Sequence, residues 1–142
     1  MIKELIGNRI MIVEKSDSWR DLIVTASKSM ISDGIIEERY VDSIIKNVEE
    51  NGSYIVILPE LAIPHARPET GAIKTGISIL KIEEGVMFPD DKEVKLLFVL
   101  SAKDGDTHLE MISELTEVFM DDDIMDKLFN AKSVEDIKGA IC

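Results

Sequence analysis

Val94-Lys95-Leu96-Leu97-Phe98-Val99-Leu100-Ser101 decides how the rest of the chain can be arranged. A strand with one wet face alternates apolar and polar side chains, but from Leu96 to Leu100 every position is apolar. Such a run reads as a strand covered on both faces, at the centre of a sheet with helices above and below it.

Working outward, residues 54–58, 61–65 and 77–82 are further short runs of β-branched and apolar residues, separated by proline, glycine and acidic turns, and read as strands. Residues 9–13 form another short strand near the start. The next segment opens with Ser16, Asp17 and Ser18 as capping residues before a helical stripe of Trp19, Leu22, Ile23, Ala26 and Met30, which stops near Gly34. A second helix, roughly 37–50, places Tyr40, Val41, Ile44, Ile45 and Val48 on one face and ends at Asn51-Gly52. After the central strand, residues 107–120, 123–130 and 133–141 have helical spacing. Helices, then strands, then helices predict an α/β three-layer sandwich, a mixed sheet flanked by helices on both faces. With no internal repeat or linker, residues 1–142 are expected to form a single domain.

Composition narrows the function. The 16 basic and 28 acidic residues give a net charge of −12, which repels nucleic acid phosphates and makes nucleic acid a poor partner. The apolar runs fall far short of the ~20 residues needed to cross a membrane. The first 17 residues mix Lys3, Glu4, Arg9, Glu14 and Lys15 among apolar residues, unlike a signal peptide, so a cytoplasmic protein is expected. The single cysteine, Cys142, precludes an internal disulfide framework, fits a reducing compartment, and reads as a terminal thiol without an activating environment.

Chemistry points to two histidines. His65 lies in Leu61-Ala62-Ile63-Pro64-His65-Ala66-Arg67-Pro68-Glu69. Pro64 and Pro68 fix their own φ and bias Ile63 and Arg67 away from helix, so the imidazole is presented from a stiff, extended backbone at a strand end. Such a backbone can hold a nucleophile in line with an incoming phosphorus, with Arg67 as a cation near the developing charge; a structural hydrogen-bonding role is the alternative. Thr107-His108-Leu109-Glu110 has the pattern of a capping box, with Thr107 as N-cap. That places His108 in a first helical turn, where free amides and the helix dipole favour an anion, although Asp104 and Asp106 would oppose one if they pointed inward. A surface histidine on a helix whose apolar face is Leu109, Ile112, Leu115 and Phe119 is the alternative there. No metal-ligand spacing and no glycine-rich phosphate loop is present, so neither a metal nor a nucleotide cofactor is expected.

These segments, together with Tyr54-Ile55-Val56-Ile57, Pro59, and the passage from Leu96 to Ala102 leading into His108-Leu109-Glu110, resemble the fructose/mannitol superfamily of phosphotransferase-system enzyme IIA proteins over nearly the whole chain. Mannitol- and fructose-type members usually have Pro-His-Gly and an arginine in the segment ahead of it, where this chain has Pro-His-Ala-Arg and Glu49-Glu50. The Ala-Arg-Pro-Glu continuation looks most like the ascorbate-type branch.

The resemblance implies a mixed sheet sandwiched by helices, phosphorylation on His65, and His108 as a second active-site histidine. It also implies a donor, the histidine phosphocarrier protein; an acceptor, a IIB component that uses a cysteine in ascorbate-type systems; and an indirect link to a IIC membrane transporter that binds the sugar. Arg67 is then assigned to stabilising the phosphoryl group. A regulatory phosphoprotein of the same fold, signalling by phosphorylation-dependent binding, is the competing expectation.

Overall fold

The computed structural model describes residues 2–141. The reading of Cys142 therefore lies outside the described residues. Five strands form one mixed sheet in the order β1-β4-β5-β3-β2, where β1 is Ile10–Val13, β2 Val56–Leu58, β3 Glu60–Ala62, β4 Gly76–Phe88 and β5 Lys92–Ser101. β1 runs parallel to β4 and β3 parallel to β5, while β4/β5 and β2/β3 are antiparallel pairs. The all-apolar stretch is the middle strand, as expected.

Its side chains supply two cores because successive residues face opposite ways. Leu97 and Val99, with Leu80 and Ile82 of β4, meet α2 (Trp19–Ser32) and α3 (Glu38–Asn51). Leu96, Phe98 and Leu100, with Ile77 and Ile79, meet α4 (Gly105–Phe119), α5 (Asp122–Asn130) and α6 (Val134–Ile141). Each large aliphatic or aromatic side chain buried this way is worth about 1.5–3 kcal/mol relative to exposure, so a polar residue in the middle of β5 would be costly on either face. Buried polar groups in the sheet are satisfied: Ser78 Oγ donates to Ala26 O at 2.8 Å, and Lys81 Nζ donates to Ala131 O at 2.7 Å and pairs with Glu83 at 2.8 Å.

The start of α2 follows capping chemistry, whereas the N-cap of α3, Glu37, makes no side-chain cap hydrogen bond. Ser18 accepts from Asp21 N–H at 3.1 Å at the start of α2. The elements differ in places from the sequence reading: β2 starts at Val56, after Tyr54, and β3 ends at Ala62, short of His65. A short helix α1, Ile2–Ile6, precedes β1 and buries Ile6. β4 also continues well past Ile82, because the break expected at Glu83-Glu84-Gly85 is a bulge in the β4/β5 ladder; pairing resumes at Val86↔Val94 and runs to Phe88↔Lys92. A bulge admits extra residues, here polar ones facing solvent, without ending the strand.

Candidate active site

The cleft begins where β3 leaves the sheet. After Ala62, Ile63 N–H donates to Ile55 O at 2.9 Å, and Leu100 N–H at the end of β5 donates to Pro64 O at 3.0 Å. His65 follows, half-buried, and its Nδ1 lies 2.7 Å from Ile63 O. A carbonyl oxygen can only accept, so Nδ1 carries the proton and the neutral ring keeps its available lone pair on Nε2. The local sequence thus selects a tautomer as well as a backbone direction.

Across the cleft, α4 brings His108 to a ring-centre distance of 5.5 Å from His65, with 38° between the ring planes. Burial, and secondarily the neighbouring His65, holds the His108 pKa below its ordinary value. His108 is therefore poised as a neutral hydrogen-bonding imidazole at neutral pH. Arg67, at the foot of a 3-10 turn spanning Pro68–Thr70, lines the same cleft. Its carbonyl accepts from Thr70 N–H at 3.0 Å and from Thr70 Oγ1 at 2.6 Å, and its exposed guanidinium has no ion pair or hydrogen bond among the described residues. Together with Tyr40, Ala66, Asp104 and Gly105, these residues enclose about 240 Å³.

The helix start is a correction to the sequence reading. The N-cap of α4 is Asp104, whose carboxylate accepts from Thr107 N–H at 2.8 Å; Thr107 is the third helical residue, and His108 N–H already donates to Asp104 O at 3.1 Å. Aspartate competes well for this position because its charge adds to the cap bond and to the dipole. Hydrogen bonding to Thr107, with smaller contributions from Lys103 and the Asp106 amide, holds the Asp104 pKa below the carboxylate range. One amide expected to be available to an anion, Thr107 N–H, is thus engaged by a side chain that also lines the cleft. The His108 ring stands opposite His65, and Arg67 lines the same cleft.

Sequence reasoning missed two tyrosines. The helical spacing places Tyr40 on the core face, and its ring is buried, but its hydroxyl reaches the cleft wall and engages the backbone beside His65. The only signal was its polar tip, since a buried tyrosine hydroxyl must find a partner. Tyr54, expected inside a strand, precedes β2 and sets its ring edge-on to His65 at 6.3 Å between centres while remaining 45% exposed. Glu49, in the segment ahead of the His65 motif, pairs with Arg20 at 2.7 Å. Among the described residues, no group of three or more His, Cys, Asp or Glu side chains is arranged to hold a metal, and no helix is long and apolar enough to cross a membrane.

Residues 5–141 match the family described as "Phosphoenolpyruvate-dependent sugar phosphotransferase system, EIIA 2". The chain is 36% identical over 133 residues to the mannitol-specific cryptic phosphotransferase enzyme IIA component of Escherichia coli K12, covering 93% of this chain and 90% of that protein. It is 30% identical over 138 residues to the ascorbate-specific EIIA component of Salmonella choleraesuis, covering 95% and 90%. The solution structure of the Escherichia coli mannitol-specific cryptic enzyme IIA superposes with a TM-score of 0.93 at 34% identity, over 99% of this chain and 97% of that one. A sheet of this topology and a match that takes in both histidines lead to one conclusion: the chain belongs to the EIIA 2 family of the phosphoenolpyruvate-dependent sugar phosphotransferase system, with relatives of mannitol and ascorbate types.

Proposed function

We propose that this protein, acting as one domain in the cytoplasm, relays a phosphoryl group from a histidine phosphocarrier protein through His65 to a IIB component. The sugar is ascorbate or a related one, chosen by a IIC membrane transporter. The observation that carries this reading is the 2.7 Å hydrogen bond from His65 Nδ1–H to Ile63 O, which leaves Nε2 as the nucleophile in a cleft shared with Arg67 and His108.

In the first transfer, the Nε2 lone pair of His65 attacks the phosphorus of the donor's phosphohistidine. A P–N bond forms at His65 as the donor's P–N bond breaks, and that electron pair returns to the donor nitrogen. The Nδ1 proton stays on the His65 ring, held toward Ile63 O, so the phosphorylated ring is a phosphoimidazolium and can depart as neutral imidazole in the second transfer. There a IIB cysteine thiolate takes the phosphorus. Because such transfers run through a loose, in-line transition state, positioning and charge stabilisation account for most of the catalysis. Arg67 supplies a planar fork of donors to the phosphoryl oxygens, and neutral His108 supplies one more hydrogen bond. The structure of a complex between the Escherichia coli mannitol enzyme IIA and its phosphorylated IIB supports a IIB partner through the shared fold.

The test is incubation with phosphoenolpyruvate and the donor components. The wild-type chain should gain one acid-labile phosphoryl group and pass it to an ascorbate-type IIB faster than to a mannitol-type IIB. His65→Ala should accept none; a phosphorylated His65→Ala protein would overturn the assignment.

A further inference from the structure

The hydroxyl of Tyr40 sits where three pieces of chain distant in sequence meet. It donates to Leu100 O at 2.7 Å, accepts from Ala66 N–H at 3.1 Å, and has Ala66 O as a longer second contact at 3.3 Å. With one proton to give, the hydroxyl commits it to the shorter contact, at the end of β5. Tyr40 is 1% exposed, and burial pushes its pKa up to about 12, so it stays neutral across the working range. Its own placement is rigid. Glu37 N–H donates to Gly71 O at 2.9 Å and Arg39 Nη1 donates to Glu69 O at 3.1 Å, tying the start of α3 to the 3-10 turn and the residue after it. Gly71, at φ +138°, lets the backbone pass so close that a Cβ there would lie 3.0 Å from Tyr40 Cβ.

The consequence concerns the two soft dihedrals of His65. The peptide before it is oriented by Leu100 N–H donating to Pro64 O at 3.0 Å, which restricts φ. The peptide after it carries the Ala66 N–H that Tyr40 holds, which restricts ψ. The prolines constrain neither of these angles directly, because each fixes its own φ and biases the residue before it, and His65 is neither of these. With the ring turned by the Nδ1–H bond to Ile63 O, backbone and side chain together define one direction for Nε2.

We propose that Tyr40 is a positioning residue for phosphoryl transfer: its hydroxyl locks the peptide after His65 and so aims Nε2 at the phosphorus. This inference rests on the relay reading above and adds no chemical step. The P–N bonds form and break as described there, and Tyr40 neither gives nor takes a proton. Loss of aim at a reacting atom costs rate much more than affinity.

Tyr40→Phe removes only the hydroxyl. The variant should fold and accept phosphoryl on His65, with the single-turnover rate at saturating donor reduced about tenfold and the half-saturating donor concentration unchanged. Its His65 ring should show broadened or shifted ¹⁵N signals, reporting loss of the single ring orientation. A hydroxyl that serves stability alone would lower the melting temperature and leave the saturated rate and the His65 signals at wild-type values; that result overturns the proposal. Should Tyr40→Phe fail to fold, hydrogen exchange on the wild-type protein decides. The Ala66 amide, outside any helix or strand, must be protected, and rapid exchange in the folded protein overturns the clamp. If the wild-type chain takes no phosphoryl group on His65, the relay reading fails; if it does and Tyr40→Phe matches its rate, only this inference fails.

Discussion

His65 and His108 meet at 5.5 Å between ring centres, yet they are held by opposite means. His65 projects from irregular backbone, where each flanking peptide and the ring nitrogen Nδ1 has its own hydrogen bond. His108 rides on a regular helix, and its position follows from the packing of Met111, Leu115 and Phe119 beneath it and the Asp104 cap ahead of it. A nucleophile needs its direction fixed atom by atom, which irregular backbone allows. A supporting donor needs only distance and a neutral ring, which a helix and partial burial provide.

The largest expected effect after loss of His65 itself comes from removing the other side of the pair. His108→Ala should still be phosphorylated on His65 but pass the group to IIB about a hundredfold more slowly, measured by rapid-quench transfer. His108→Gln, which keeps an N–H donor, should recover most of that loss. If neither variant slows transfer, the two histidines are neighbours without being partners. Next in size is Arg67→Lys, which keeps the charge and loses the planar fork. Transfer should fall about tenfold with the fold unchanged, and a wild-type rate would reduce Arg67 to a surface charge.

A smaller effect separates the two supports themselves. Asp104→Ala should lower the melting temperature and speed amide exchange in the first turn of α4, while Asp104→Asn, which caps as well, should preserve both. Equal behaviour of the two variants would show that the cap does not hold His108 in place. The smallest effect is electrostatic. Because burial depresses the His108 pKa below 6.5, the unfolded chain binds a proton at this residue before the folded chain does. The stability involved is therefore present above about pH 6.5 and is lost as pH falls toward the folded-state pKa. NMR titration should place the His108 midpoint below 6.5, and His108→Gln should flatten the acid side of the stability profile; a midpoint above 6.5 would contradict the buried, neutral role.

Much of this could be read in one dimension. The unbroken apolar run at Leu96 to Leu100 specified a central strand because only a two-sided core tolerates it, and helical spacing located the flanking layers. Pro64 and Pro68 marked the stiff segment around His65, since their effect on φ is local and independent of the fold. The same local rules also overreached. Glu83-Glu84-Gly85 resembles a turn because a bulge uses the same polar and small residues. Thr107 and Glu110 resemble a capping box, but Asp104 lies three residues ahead, where it can cap one turn earlier.

By itself, then, the sequence determined the order of the elements from β1 onward, the two-faced sheet, and which side chains are capable of acid-base and charge chemistry, because periodicity, proline geometry and side-chain type are properties of neighbours along the chain. Only the tertiary structure decided that His108 would stand across the cleft from His65, that Tyr54 would stand edge-on to His65, and that the tip of Tyr40 would join Ala66 to Leu100 across separations of 26 and 60 residues. Such contacts depend on the angle at which a helix crosses a sheet and on where a strand ends. Those quantities are set by packing of the whole core, and leave no periodic trace in the residues that meet.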